Sequence, residues 1–322
     1  MDDKPASPAS YADFENEAPG GWLRTVVQFF AIPMLIVGVA VGIYLGINLL
    51  VGSGPKDAAD YTRMLESDTI NRRWQALHQL ADRLRAREIP AEFRDEKLIQ
   101  ALCNALERAR AAKSDPPRMA HAVLLIMQRL KDPRTLESAR SAVDDEHEWI
   151  RSEAVLALGA LGDQKSRGRI AALAMHDDHG TRQAALQSLV WLDQVEGMDF
   201  HLSTATREIA KKHLVDPHED VRFTAAFTLA DAGDRASLPV LLRMLDRDYL
   251  EGFDFDERLQ GISQYKIHSN VIVRAIQRVV ALNAGDNAQI IAMLRKRTDT
   301  DFEGDNLVRK AAREALAKLN TN

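Results

Sequence analysis

Residues 150–163 read Ile-Arg-Ser-Glu-Ala-Val-Leu-Ala-Leu-Gly-Ala-Leu-Gly-Asp, and residues 221–234 read Val-Arg-Phe-Thr-Ala-Ala-Phe-Thr-Leu-Ala-Asp-Ala-Gly-Asp. The two stretches share one register: Ile150 falls on Val221, Arg151 on Arg222, Ala154 on Ala225, Leu158 on Leu229, and Gly162-Asp163 on Gly233-Asp234. Apolar positions four and three residues apart make one stripe on a helix of about three turns. The closing Gly-Asp reads as its stop. Moving thirty-one residues along from the first stretch places Arg151, Ala154, Leu158 and Leu161 on Arg182, Ala185, Leu189 and Leu192 without a gap.

Further copies start at Val273-Arg274, ending in Gly285-Asp286, and at Val308-Arg309, with Ala312, Leu316 and Leu319. An early copy is Arg73, Ala76 and Leu80, and a degenerate one surrounds Ala122 and Ile126, giving about seven units. Self-similarity at such a period signals a solenoid. The segment before each stripe, such as residues 238–245, reads as its antiparallel partner helix. A single hairpin cannot bury its stripe alone, so units must stack, each forming its neighbour's core.

The pattern closely resembles the HEAT-like repeats of phycobilisome lyases and of many bacterial scaffold proteins, over roughly residues 61–319. The resemblance implies an all-α, right-handed α-solenoid whose second helices line the concave face, and it implies binding rather than chemistry. It also implies that the recurrent Arg151, Arg182, Arg222, Arg274 and Arg309 are structural, bonding acidic or carbonyl groups of an adjoining unit.

Composition agrees with a folded helical chain. Of 322 residues, 46% are hydrophobic and 28% charged, while aromatics make only 6%; this favours helices over a β-sandwich. The net charge of −5 gathers in the first twenty residues, in Asp2, Asp3, Asp13, Glu15 and Glu17. The remainder is nearly balanced and lacks the basic footprint that nucleic acid requires. The lone Cys103 sits in the apolar pattern Ile99, Leu102, Cys103, Leu106 and reads as core filler that forms no intramolecular disulfide.

Residues 25–55 carry no charge, and residues 26–51 are apolar apart from Gln28, Pro33, Tyr44 and Asn48. That run is long enough to span a bilayer, with Trp22 and Arg24 placed to anchor at the headgroups. A cleaved signal peptide would want a basic start and a shorter core. The expected organisation is therefore an acidic tail over 1–21, a transmembrane helix over 22–52, a linker over 53–58 and a repeat domain over 59–320. Lys56, Arg63, Arg72 and Arg73 follow the span, so the positive-inside rule places the array on the cytoplasmic side of the inner (cell) membrane; the opposite topology stays open. Gly38, Gly42 and Gly46 recur on one helix face where a second helix could pack, or they reflect the general frequency of glycine in membrane helices.

Register breaks twice, by nine residues between Arg182 and Arg222 and by twenty-one between Arg222 and Arg274. The larger insertion, about 249–269, concentrates Tyr249, Phe253, Phe255 and Tyr265. Phe223 and Phe227 lie opposite their own helix's stripe, at positions filled by Trp74 and His78 in the first unit. Trp74, Phe223, Phe227, Phe253, Phe255 and Tyr265 are therefore the candidate partner-binding residues. The alternative is that the insertion simply covers Phe223 and Phe227.

No phosphate loop, nucleophile elbow or paired cysteines appear. His176-Asp177-Asp178-His179 falls at a turn where Asp is expected as a cap, without a second ligand pair for zinc. Asp299, Asp301, Glu303 and Gly304 imitate a calcium loop whose twelfth position is Lys310 in place of the required Glu. No metal, cofactor or catalytic constellation is expected. The expected function is a membrane-anchored scaffold that binds a protein partner or neighbouring membrane subunits, with homo-oligomerisation through the membrane helix, a self-assembling structural protein and a bilin-lyase-like enzyme as alternatives.

Overall fold

The structure, a computed structural model, describes residues 32–51, 57–86, 88–112, 117–194, 199–253 and 263–319. The chain divides into two compact units, Met1–Lys56 and Asp57–Asn322. In the first, helix α1 (Ile32–Val51) has twenty residues and no charged side chain. Its described side chains are those of 34–44 and 46, and over the described residues no helix is long and apolar enough to cross a membrane.

Among the described residues of the second unit the regular elements are all helical, and they form seven pairs. These are α2 (Ala58–Leu65) with α3 (Ile70–Arg83), α4 (Glu96–Ala111) with α5 (Pro117–Leu130), and α6 (Leu136–Ser141) with α7 (Glu148–Ala160). There follow α8 (Arg167–Leu173) with α9 (His179–Asp193), and α10 (Thr204–His213) with α11 (Glu219–Asp231). The last two are α12 (Leu238–Met244) with α14 (Gln264–Ala281), the short α13 (Arg247–Leu250) between them, and α15 (Ala288–Thr298) with α16 (Asn306–Leu319). Members of each pair touch, and the second helices stack in chain order from α3 through α5, α7, α9, α11 and α14 to α16.

The recurrent alanine marks where that stack is closest. Ala76, Ala154, Ala185, Ala225 and Ala312 are all completely buried, because only a small side chain lets neighbouring second helices approach. Gly159 carries this further: a Cβ built there would lie 2.6 Å from the Cβ of Ser188 on α9. Ser188 in turn donates its hydroxyl to the Val155 carbonyl at 2.8 Å.

The Gly-Asp stops work as the sequence indicates at two units. Gly162 and Gly233 adopt φ of 70° and 72°. Asp163 N–H reaches the Leu158 carbonyl at 3.0 Å and Asp234 N–H reaches that of Leu229 at 2.8 Å, the pairing of a Schellman cap. Gly285-Asp286 is different. There the left-handed residue is Asn283, with φ of 47°, while Gly285 sits in a tight turn where a Cβ would meet the Leu319 carbonyl oxygen at 2.8 Å. Lys131 holds the corresponding left-handed place in the second unit, with φ of 51°.

The core is not continuous. One buried cluster runs from Ala58 to Leu192 and takes in Cys103, as expected for core filler; a second runs from Phe223 to Leu319. Between them lies a small cluster of Leu186, Ala210, Ala225 and Leu229. The first break in register therefore coincides with a thinning of the core at the α9–α10–α11 junction.

Gly159→Ala is expected to destabilise the array by about 1–3 kcal/mol through overpacking. Lys131→Gly is expected to stabilise it by about 1 kcal/mol, since glycine adopts the left-handed conformation without the Cβ penalty. Thermal denaturation followed by circular dichroism checks both; an unchanged midpoint in Gly159→Ala would contradict the close approach of α7 and α9.

Candidate partner-binding groove

The conserved-looking arginines turn inward, not toward a ligand. Arg73 donates to the Ser67 and Asp68 carbonyls, both at 3.0 Å. Arg151 reaches those of Asp145 and Glu146 at 2.9 and 3.3 Å, and Arg182 those of His176 and Asp177 at 2.9 and 2.7 Å. Arg222 and Arg309 repeat the bond to Asp216 and Glu303. Each thus ties down the turn between the two helices of its own pair, satisfying carbonyls that the turn leaves open. The other edge of the guanidinium faces the next pair: Arg151 donates to Thr181 at 2.9 Å, and Arg182 clasps both oxygens of Asp216 at 2.8 and 2.7 Å. Arg274 departs from the pattern, its guanidinium lying 4.4 Å above the Phe227 ring.

A second set of arginines, on the first helices, holds the Asp of the stop. Arg140 clasps Asp163 at 2.8 and 2.6 Å, Arg207 meets Asp234 at 3.1 Å, and Arg167 meets Asp193. The Arg140 guanidinium holds the Asp163 carboxyl below the usual carboxylate range against the opposing pull of burial. These charges are structural.

What remains open is a groove of about 690 Å³ lined by second helices of five successive pairs. Helix α3 contributes Trp74, Leu77 and His78; α5 contributes Arg118, His121 and Leu125; α7 contributes Glu148, Trp149 and Ser152; α9 contributes Asp178 and His179; α11 contributes Asp220. Trp74 and Leu125 are 42% and 43% exposed, so the groove offers apolar surface to solvent. Trp149 is held in place: its backbone N–H is accepted by the His147 ring at 3.2 Å, and the two rings meet edge to face at 5.6 Å. His179 stacks on His218 at 4.3 Å, 8° from parallel. Asp178 is the cap the sequence predicts, accepting the Thr181 N–H at 2.7 Å. Apolar side chains fixed on rigid helices beside a few polar groups are what a binding surface requires.

The six sequence candidates do not form one patch. Trp74 lies in the groove. Phe223 and Phe227, expected on an open face, are buried at 4% and 9% exposure. Phe227 is covered by α14: the guanidiniums of Arg274 and Arg278 lie 4.4 and 4.3 Å from its ring centre. Phe253 is half-buried against Tyr249 at 4.9 Å, and Tyr249 donates its hydroxyl to Glu219 at 2.8 Å. Tyr265 is exposed along one edge while Arg247 covers its face at 4.3 Å. Phe255 lies outside the described residues. Trp149 and Leu125 escaped the sequence reading, although an aromatic so near the start of a second helix was the available signal.

Glu303 of the calcium-like run is fully buried and shared by Arg247 at 2.6 Å and Arg297 at 3.1 Å. Its carboxylate is committed to pinning the final pair against α13. Among the described residues no group of three or more His, Cys, Asp and Glu side chains is placed to hold a metal.

With this geometry in hand, comparison with known proteins is consistent with the repeats. A family model described as HEAT repeats matches residues 106–190, and one described as PBS lyase HEAT-like repeat matches residues 221–247. The chain carries HEAT-like repeats. No curated protein matches the sequence. Similar solved structures include the complex of CpcE and CpcF of phycocyanin lyase from Nostoc sp. PCC7120, at 14% identity and TM-score 0.48 over 83% of this chain and 96% of that one. YibA of E. coli gives 14% and 0.45 over 80% and 92%. Human deoxyhypusine hydroxylase in complex with glycerol gives 13% and 0.34 over 82% and 96%. None of these likenesses bears on what this chain does.

The junction of α10 and α11 contains a titratable group with a definite sign. His213 is buried, and desolvation pushes its imidazole below the ordinary histidine value despite Asp216 at 3.4 Å. The unfolded chain takes up this proton first, at about pH 6.5, so the native state loses stability as pH falls from 7 through that value. Melting temperatures of the parent and of His213→Asn between pH 7.5 and 5 should diverge, the variant being flatter; parallel profiles would refute the assignment.

Proposed function

We propose that the chain is a membrane-anchored HEAT-repeat scaffold that holds a segment of a partner protein in the groove of its second helices, acting by binding and not by catalysis. The observation that carries this reading is the groove itself, in which Trp74, Leu125 and Trp149 stand on three successive second helices while the recurrent arginines are spent on the turns. The stacked pairs wind, on this reading, as the right-handed solenoid of their repeat class, with the groove on its concave side.

One feature supports the membrane anchor. Met34, Leu35, Ile36 and Val37 are consecutive, so they point in all directions around α1, and each is at least 60% exposed. Apolar surface on every side of a helix is costly in water and favourable in lipid. A Cβ built on Gly38, Gly42 or Gly46 meets nothing within 4 Å, which leaves that face open to a neighbouring membrane subunit or a second copy of the chain. The basic residues after the span support, on the positive-inside rule, an array on the cytoplasmic side of the cell membrane.

A photo-crosslinking residue at Leu125 should capture a discrete protein in native membranes, whereas one at Met175, which is 52% exposed and outside the groove, should not. Equal capture from both positions would remove the groove from consideration. Carbonate extraction should leave the chain in the membrane, and protease added outside spheroplasts should leave the array intact. Digestion there would reverse the topology. Gly42→Leu should weaken self-association or subunit contact in a membrane two-hybrid assay, with unchanged signal counting against the glycine face.

A further inference from the structure

We propose that the α9–α10–α11 junction is an acid-sensitive joint: proton uptake by His176, His179, His213 and His218 opens it locally, while the cores on either side stay closed. The inference stands on the junction itself and does not need an occupant in the groove.

Four of the nine histidines of the chain belong to this junction, where the core thins to Leu186, Ala210, Ala225 and Leu229 with Ile209 and Leu214 beside them. Histidine is the side chain whose charge ordinarily changes between pH 5 and 8, so contacts built on it are the ones mild acid alters.

His213 ends α10 and is buried, its Nδ1 3.4 Å from Oδ2 of Asp216. The same carboxylate accepts two bonds from Arg182 of α9, at 2.8 and 2.7 Å, and the His218 backbone N–H at 3.0 Å. It therefore ties α9, α10 and α11 together. A proton on His213 places a second cation on a buried carboxylate already shared with Arg182, and burial holds the imidazole below its ordinary value. The open joint, in which the ring meets water, takes that proton in preference.

His179 starts α9 and His218 caps α11, and their rings stack at 4.3 Å, 8° from parallel. With both charged, like charges stand face to face. Of the acids around them, Asp178 is bonded to Thr181 and lies 3.7 Å from Arg151 of α7, and Glu219 is paired with Arg222 and accepts from Tyr249. Asp177 is exposed, while Glu148 of α7 and Asp220 of α11 line the same groove. A carboxylate bonds an imidazolium at its N–H edge, so the two charged faces still oppose each other. His176 supports the turn before α9, its Nδ1 accepting the Asp178 N–H at 3.0 Å; a proton on that nitrogen removes the acceptor. On either side of the junction the broad apolar clusters, from Ala58 to Leu192 and from Phe223 to Leu319, confine the opening to the part held by these bonds.

Hydrogen–deuterium exchange of the full chain in detergent micelles at pH 7.5 and 5.5, corrected for the intrinsic pH dependence of exchange, tests this. Protection in α10 and α11 should fall at least tenfold at pH 5.5, while α4 and α16, which carry no histidine, keep theirs. His213→Asn and His218→Gln should each reduce the fall, and the double variant should hold it below threefold. Equal loss in all four helices, or no loss at pH 5.5, overturns the joint. So does a loss confined to the junction that His218→Gln leaves unchanged; His218 is exposed, so this arm decides even where His213→Asn does not fold.

Discussion

Two short helices joined by a turn have too little shared surface to hold a fixed angle, and a stack of such pairs is only as regular as its turns. Buried arginines near the start of the second helices, Arg151 and Arg182, address both needs at once. One edge of the guanidinium closes the carbonyls of its own turn, and the other reaches a hydroxyl or carboxylate of the next pair, as Arg182 does with Asp216. A planar donor with five N–H groups can do this where lysine could not. The angle between helices and the spacing between pairs are thereby fixed by one side chain. The fully buried alanines can then sit at the closest approach without the stack sliding.

This arrangement explains which parts of the molecule were legible in the sequence. Stripe, cap and stop are local, so Ala154, Leu158 and Gly162-Asp163 announced their roles by spacing, while the structural role of Arg151 came from the resemblance to HEAT-like repeats. The pairing of helices followed from the repeat. Contacts across an irregular interval were not legible. Phe223 and Phe227 looked open because the reading assumed a regular neighbour, whereas both are buried and Phe227 lies under two arginines of the long helix α14. The Arg247–Glu303–Arg297 cluster joins residues 56 positions apart and has no periodic signature. At Gly285 the expected stop failed because the register taken from Val273-Arg274 is two residues late: Asn283 holds the left-handed place, and Gly285 falls at a close approach to Leu319.

The groove illustrates the same division. Positions that face the stack are constrained by packing and repeat from unit to unit; positions on the groove side are bound by no such rule, so their chemistry varies along the array. Trp74, Leu125 and Trp149 are not equivalent in register, and no repeat-based alignment would collect them. They meet because the second helices lie side by side. Histidines 147 and 218 pack against lining rings, which lowers the entropy that binding must remove.

The narrowing of the core at the α9–α11 junction has a mechanical meaning. Four small or medium apolar side chains, Leu186, Ala210, Ala225 and Leu229, with the partly buried Ile209 and Leu214 packed against them, join the two large clusters, beside directional bonds such as Arg182–Asp216 and Gln183–Thr224. Apolar contact resists separation over a broad area, while short polar bonds resist until they rupture. Under tension or torsion strain therefore concentrates at this junction, which lies within the run of second helices that lines the groove.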